Sequence, residues 1–131
     1  MERADRAGAI ASWRCIVDGE WREAFAGELL EVVSPSDGTV FATIPRGRKR
    51  DVDTAVAAAR AAFTRGPWAR LAAADRGRLL IKLSGLVAER AEEIAQLESR
   101  DTGKPISQGR ADAAALARYF EFYGGAADKL M

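Results

Sequence analysis

"TVFATIPRGRKRDVDTAVAAARAAF", residues 39–63, decides the fold, because its apolar period changes part-way along. Thr39 to Ile44 carry β-branched and aromatic side chains in a short extended run that Pro45 ends, which reads as a strand. Beyond Gly47, Val52, Val56, Ala59 and Phe63 recur at helical spacing, with Arg60 at the edge of the stripe. Asp51 and Asp53 sit in the first turn, where acidic groups suit the positive end of the helix dipole, whereas Lys49 and Arg50 oppose it. Gly66-Pro67 stops the helix.

Upstream of this switch everything reads as extended. Trp13, Cys15 and Val17 alternate with Arg14, Ile16 and Asp18, and Asp18-Gly19 turns the chain into Trp21-Arg22, a hairpin. Leu29 to Val33 form another short apolar strand, broken by Ser34-Pro35-Ser36-Asp37-Gly38. Residues 1–12 show no period and are expected to be a terminal arm.

Downstream, the pattern is helical. Pro67 to Leu71 read as a short helical turn anchored by Trp68. Leu79, Leu80, Leu83, Leu86 and Val87 make one apolar stripe, and Ile94 and Leu97 carry a similar one towards Gly103. A last helix begins near Ser107, with Leu116, Tyr119, Phe120 and Tyr123 on one side, and Gly124-Gly125 is expected to loosen or end it. The fold class expected is therefore α/β, as a mixed α+β fragment. A small antiparallel unit of about three short strands (13–45) precedes a layer of about four helices (49–130), the two together making one incomplete domain over 13–131.

Composition narrows the chemistry. With 131 residues, 48% hydrophobic and 30% charged, the chain has the make-up of a globular domain. Its 20 basic residues nearly cancel its 19 acidic ones, so no bulk charge points to nucleic acid or anionic lipid. No apolar run reaches the roughly 20 residues that span a bilayer, and residues 1–15 mix charges throughout, so a cytoplasmic setting is expected. The absence of histidine removes Ser-His-Asp and Cys-His pairs and His-Glu zinc sites together. Cys15, the only cysteine, lies in an apparent strand and reads as a buried, inert thiol.

The remaining candidates weaken on inspection. Gly103-Lys104 invites comparison with a phosphate cradle, but the segment follows a helix, no glycine lies five residues earlier, and Pro105 stands where the hydroxyl belongs. Gly103 fits a left-handed cap, and Pro105 the opening of the next helix. The basic run Arg46-Gly47-Arg48-Lys49-Arg50 is short, lacks interleaved aromatics and is followed at once by acids, so it reads as a solvated helix start. Glu92, Glu93, Glu98 and Asp101 have the pairing that acid–base chemistry uses, but the many nearby arginines favour ion pairs. Tyr119, Phe120, Phe122 and Tyr123 read as core. No catalytic and no cofactor-binding residue follows from spacing. An interaction module built of helices and, more remotely, a nucleic-acid binder remain open on these residues.

Seven segments in order carry a resemblance. VDGEW (17–21), VVSPSDGTVFATIP (32–45), DVDTAVAAARAAF (51–63), PWARL (67–71), RGRLLIKLSGLV (76–87), LESRDTGKP (97–105) and ARYFEFYGGAADKL (117–130) together resemble the N-terminal part of the NAD(P)-dependent aldehyde dehydrogenase superfamily. The resemblance implies oxidation of an aldehyde to a carboxylic acid with NAD or NADP through a cysteine thiohemiacetal. It also implies a small-molecule aldehyde substrate, a homo-oligomeric full-length enzyme, and no nucleic-acid or membrane partner. The nucleophile, the general base and the nucleotide-binding turn would lie outside this chain, so the 131 residues alone are expected to be inactive. It further implies a monovalent cation held by the carbonyls of Val32 and Val33 and by Asp101, oxygen donors suited to a hard ion. One departure stands out: Arg48 occupies the position before DVDTAV where many members have a capping residue, so the helix is expected to start without a side-chain cap.

Overall fold

The structure is a computed structural model that describes residues 11–129, and the chain divides into two compact units, one ending at Gly66 and the other starting at Pro67. The expectation for residues 1–10 lies outside the described residues. Ala11 and Ser12, at the end of the supposed arm, are a strand.

In the first unit β1 (Ala11–Ser12), β5 (Val40–Pro45) and β4 (Leu29–Val33) form a sheet in the order β1-β5-β4, and β2 (Cys15–Val17) pairs with β3 (Glu20–Arg22). The expected hairpin is present, with Cys15 opposite Arg22 and Val17 opposite Glu20. Its turn has Asp18 and Gly19 both left-handed, at φ 57° and 77°, the twist that matches two right-twisted strands. Trp13 falls outside the hairpin: its N–H donates to Thr43 O at 2.9 Å, continuing the line of β1. β1 runs parallel to β5 while β4 runs antiparallel to it, so the sheet is mixed. A two-residue strand that pairs with a segment thirty positions away leaves no local signal.

β4 and β5 are joined by the predicted turn. Gly38 N–H donates to Ser34 O and Ser34 N–H to Thr39 O, each at 2.8 Å, and Asp37 Oδ1 accepts from the N–H and hydroxyl of Thr39. Just before it the register slips between Val32 and Val33, so that Val32 faces Ala42 but Val33 faces Val40. Phe41 is thus the extra residue of a β-bulge.

Helix α1 (Lys49–Arg65) completes this unit and ends at Gly66, whose N–H donates to Ala62 O. Its length follows the reading, but its apolar stripe does not face inward. Val52 and Val56 are more than half exposed and Phe63 is 75% exposed. The less exposed face is Asp51, Thr54, Ala55, Ala58 and Ala61, which keeps the same helical spacing one step round.

The second unit starts with a single 3-10 turn (Pro67–Arg70), in which Trp68 is exposed rather than an anchor. Helices α2 (Ala73–Glu89), α3 (Ala91–Thr102) and α4 (Ile106–Ala126) follow, with α4 packed against both α2 and α3. The chain bends at Arg90, which closes α2 and opens α3. Helix α4 does not stop at Gly124-Gly125. Gly124 is buried, and a Cβ there would lie 2.8 Å from Ile81 Cγ1 and 2.9 Å from Gly77 O. A Cβ at Gly109 would lie 2.7 Å from Ala95 O. These two glycines let the helices approach until backbone meets backbone, a use of glycine that offsets its weak helix propensity. Ser84 Oγ adds a hydrogen bond to Ala117 O at 2.8 Å.

The buried apolar residues among those described are therefore small: Ala24, Ala42, Val87, Ala95 and Ala113. Of the stripe from Leu79 to Val87, only Val87 is buried, and Leu79 and Leu86 are each 47% exposed. Tyr119, Phe122 and Tyr123 are exposed too, against the expectation that they form core. No helix among the described residues is long and apolar enough to cross a membrane.

Candidate functional site

The first unit is organised around Asp51, at the third position of α1. Its Oδ2 accepts from Arg48 N–H at 2.8 Å, and its Oδ1 accepts from Phe25 N–H at 2.9 Å. The first bond is the reciprocal half of a capping box, so the helix start is satisfied from inside the helix although Arg48 itself has no acceptor to offer. The second ties the loop after β3 to α1. Both backbone donors, Arg48 first, hold the Asp51 carboxyl below the usual carboxylate range.

The basic run is spent locally. Arg48 donates to both oxygens of Glu28, at 2.6 and 3.4 Å, and Arg46 lies 3.6 Å from the same carboxylate. The hydrogen bond from Arg48, ahead of its charge, lowers the pKa of Glu28. Lys49 pairs with Asp53 one turn on, and the Arg50 guanidinium lies 3.8 Å from the centre of the Phe25 ring. Beside this junction is a cleft of about 670 Å³ lined by Cys15, Ile16, Phe25, Val52 and Ala55 among others. Cys15 is half-buried at its wall rather than enclosed in a core.

In the second unit Gly103 caps α3 at φ 74°, its N–H donating to Ser99 O at 2.9 Å, as the sequence predicts. Pro105 stands at the cap of α4, one place before the first turn. Lys104 is not aimed at an open loop: its Nζ donates to Glu98 Oε1 at 2.6 Å and to Asp112 Oδ2 at 2.8 Å, across the turn between the two helices. Hydrogen bonding to Asp112 and then Glu98 raises the Lys104 pKa, and Lys104 in turn lowers that of Asp112. Arg110 grips Glu92 with two bonds of 2.9 Å, which hold that carboxyl down at about 2. Two of the four acids singled out in the sequence are thus ion-paired. Asp101 lies exposed in the last turn of α3, and Val32 and Val33 lie at the bulge end of β4 in the other unit. Phe122 and Tyr123 meet edge to face at the exposed side of α4.

These arrangements position backbone; none joins a nucleophile to a base. The comparisons with known proteins say what the scaffold belongs to. Residues 21–131 match the model of the aldehyde dehydrogenase family. The chain belongs to that family. The aldehyde dehydrogenase family 2 member C4 of Arabidopsis thaliana is 42% identical over 118 residues, 89% of this chain and 24% of its own. The betaine aldehyde dehydrogenase of Bacillus subtilis is 38% identical over 113 residues, 86% of this chain and 23% of its own. The crystal structure of an NAD-dependent aldehyde dehydrogenase from Sinorhizobium meliloti superposes with a TM-score of 0.88 at 39% identity, covering 93% of this chain and 24% of that one. The chain thus spans about a quarter of the length of the aldehyde dehydrogenases it matches. The fold of that quarter is mixed α/β, as the resemblance implied.

Proposed function

We propose that this chain is the scaffold quarter of an NAD(P)-dependent aldehyde dehydrogenase, an enzyme that oxidises a small aldehyde to its carboxylic acid. The observation that carries the reading is the match of residues 21–131 to the family model together with a quarter-length cover of each relative. The exposed leucines of α2 and the exposed valines and phenylalanine of α1 are surfaces that further polypeptide would bury. On this reading the chain contributes no group to hydride transfer, and either NAD or NADP is the coenzyme. The full-length enzyme is a cytoplasmic homo-oligomer, and its partners include neither nucleic acid nor membrane.

The reading extends to a monovalent cation held by the carbonyls of Val32 and Val33 and the carboxylate of Asp101. The donors are all hard oxygens, and the bulge disturbs the ladder where those two carbonyls lie.

A chimera tests the proposal. Residues 21–131 replace the matching segment of the Sinorhizobium meliloti enzyme, and NADH formation from a short aldehyde is followed. The chimera turns over and the isolated chain does not. A soluble chimera without activity, or an isolated chain with it, would overturn the assignment.

A further inference from the structure

The chain holds two Asp-Gly pairs, Asp18-Gly19 and Asp37-Gly38, and no asparagine. At each pair the backbone can react with the side chain before it, because glycine has no Cβ to shield its nitrogen. Both pairs lie exposed in turns between strands, but the two turns differ in what holds them.

Asp37-Gly38 is locked. Asp37 Oδ1 accepts from the Thr39 N–H at 3.0 Å and from its hydroxyl at 2.8 Å, and the Gly38 N–H is engaged with Ser34 O at 2.8 Å. The turn joins two strands of a three-stranded sheet. Asp18-Gly19 has no such restraint. Among the described residues, neither the Asp18 carboxylate nor the Gly19 N–H has a hydrogen-bond partner. Asp18 is also, among those residues, the one non-glycine at positive φ, 57°, a conformation that strains an L residue and is relieved on opening. The hairpin it closes has two three-residue strands in a sheet of their own, and Ile16 and Trp21, paired across it, are 60% and 49% exposed. A two-stranded hairpin with so little burial opens at small cost.

We propose that Asp18-Gly19 is a site of spontaneous isomerisation to isoaspartate, and that the fold withholds this chemistry from Asp37-Gly38. When the hairpin opens, the Gly19 nitrogen attacks Cγ of the protonated Asp18 carboxyl. The N–Cγ bond forms, the Cγ–OH bond breaks, and water leaves with the Gly19 proton. Water then adds to either carbonyl of the five-membered succinimide. Opening at the main-chain carbonyl leaves the chain running through Cβ and Cγ, with a free carboxylate on Cα. No oxidant or cofactor takes part, and the net charge is unchanged. The product has one extra backbone carbon in a two-residue loop, so Val17 no longer meets Glu20 in register. Cys15 and Ile16, which line the cleft of the first unit, then lose the strand pairing that holds them there. The inference concerns a modification and does not rest on the activity proposed above.

Incubation of the whole purified chain at mildly acidic pH and physiological temperature, followed by tryptic mapping, tests it. Trypsin puts the two pairs on separate peptides, residues 15–22 and 23–46, and isoaspartate in each is scored by its resistance to endoproteinase Asp-N. Asp18 isomerises about five-fold faster than Asp37 or more, the worth of one of the hydrogen bonds that Asp37 makes. In strong urea the two rates converge, because the fold and not the flanking residues sets the difference. Thr39→Val removes the hydroxyl that donates to Asp37 Oδ1, and it raises isoaspartate in residues 23–46 alone. Equal rates in the folded chain, a ratio that survives urea, or a Thr39→Val chain with no rise in residues 23–46 would each refute the proposal.

Discussion

Replacing Gly109 by alanine tests the packing of the second unit against the ordinary behaviour of helices. In an unpacked helix Gly→Ala stabilises by about 1 kcal/mol, because glycine loses more backbone freedom on folding. At Gly109 the added methyl would sit 2.7 Å from Ala95 O and 3.4 Å from Ala95 C. The obstacle is backbone in the middle of α3, so no side chain can swing aside, and one helix has to retreat by about half an ångström or more to restore van der Waals contact. Overpacking of this kind costs about 1–3 kcal/mol, which outweighs the gain in propensity. Gly85, in the middle of α2, is the control, because a Cβ there meets nothing within 4 Å. G85A is therefore stabilised by about 0.5–1 kcal/mol while G109A is destabilised by about 1–2 kcal/mol. Urea unfolding of the whole chain, followed by far-ultraviolet circular dichroism, separates the two midpoints by about 1 M or more at the slopes usual for small proteins. A G109A midpoint above that of the unaltered chain would show that α3 and α4 do not touch at this point, and the close-packed helical layer would have to be abandoned.

Three further expectations follow from single residues. Glu92 titrates near 2 because Arg110 binds its charged form, so its contribution is complete above the ordinary value of 4.5 and is lost as the pH falls from there towards 2; thermal melts between pH 6 and pH 2 should therefore fall more steeply for the unaltered chain than for E92Q. Asp51→Asn keeps the size of the side chain but replaces one acceptor oxygen with an amide, so it destabilises the first unit and speeds exchange of the Phe25 and Arg48 amides; unchanged exchange at both would refute the bridging role. Asp18→Val places a β-branched residue at φ 57° and costs about 1–2 kcal/mol, whereas Asp18→Asn is nearly neutral, a contrast that Trp21 fluorescence during unfolding should report.

The features legible in the sequence are those whose causes are local. Asp18-Gly19, Ser34 to Gly38, Gly66-Pro67 and Gly103 each impose a backbone conformation on their own neighbours, and each forms where it was read. The family, too, was legible, because seven short segments in order carry it. What escaped depends on partners distant along the chain. Nothing in Ala11-Ser12 signals a parallel strand, and nothing in Gly109 or Gly124 distinguishes a contact glycine from a helix breaker. The apolar stripes on α1 and α2 are legible as stripes, but periodicity reports where apolar residues lie, not which neighbour covers them. The place of Asp51 three residues after the cap is a local sign of its bond to Arg48, but its bond to Phe25, 26 residues away, has no such sign. The Lys104 bridge needed the helix turn before its two carboxylates could be seen to converge.

Burial confined, among the described residues, to alanines, glycines, one valine and one serine has a consequence for how this chain tolerates mutation. In most domains a saturation scan finds bulky aliphatic positions intolerant and tiny ones permissive. Here the profile should be turned inside out: Ala95, Ala113, Gly109 and Gly124 refuse any added atom, while Leu79, Leu86 and Phe63 accept polar replacements so long as the chain is assayed by itself. Joined to the remaining three quarters of an aldehyde dehydrogenase, the same leucines and phenylalanine should become intolerant, so two scans subtracted from one another would trace the contact footprint residue by residue.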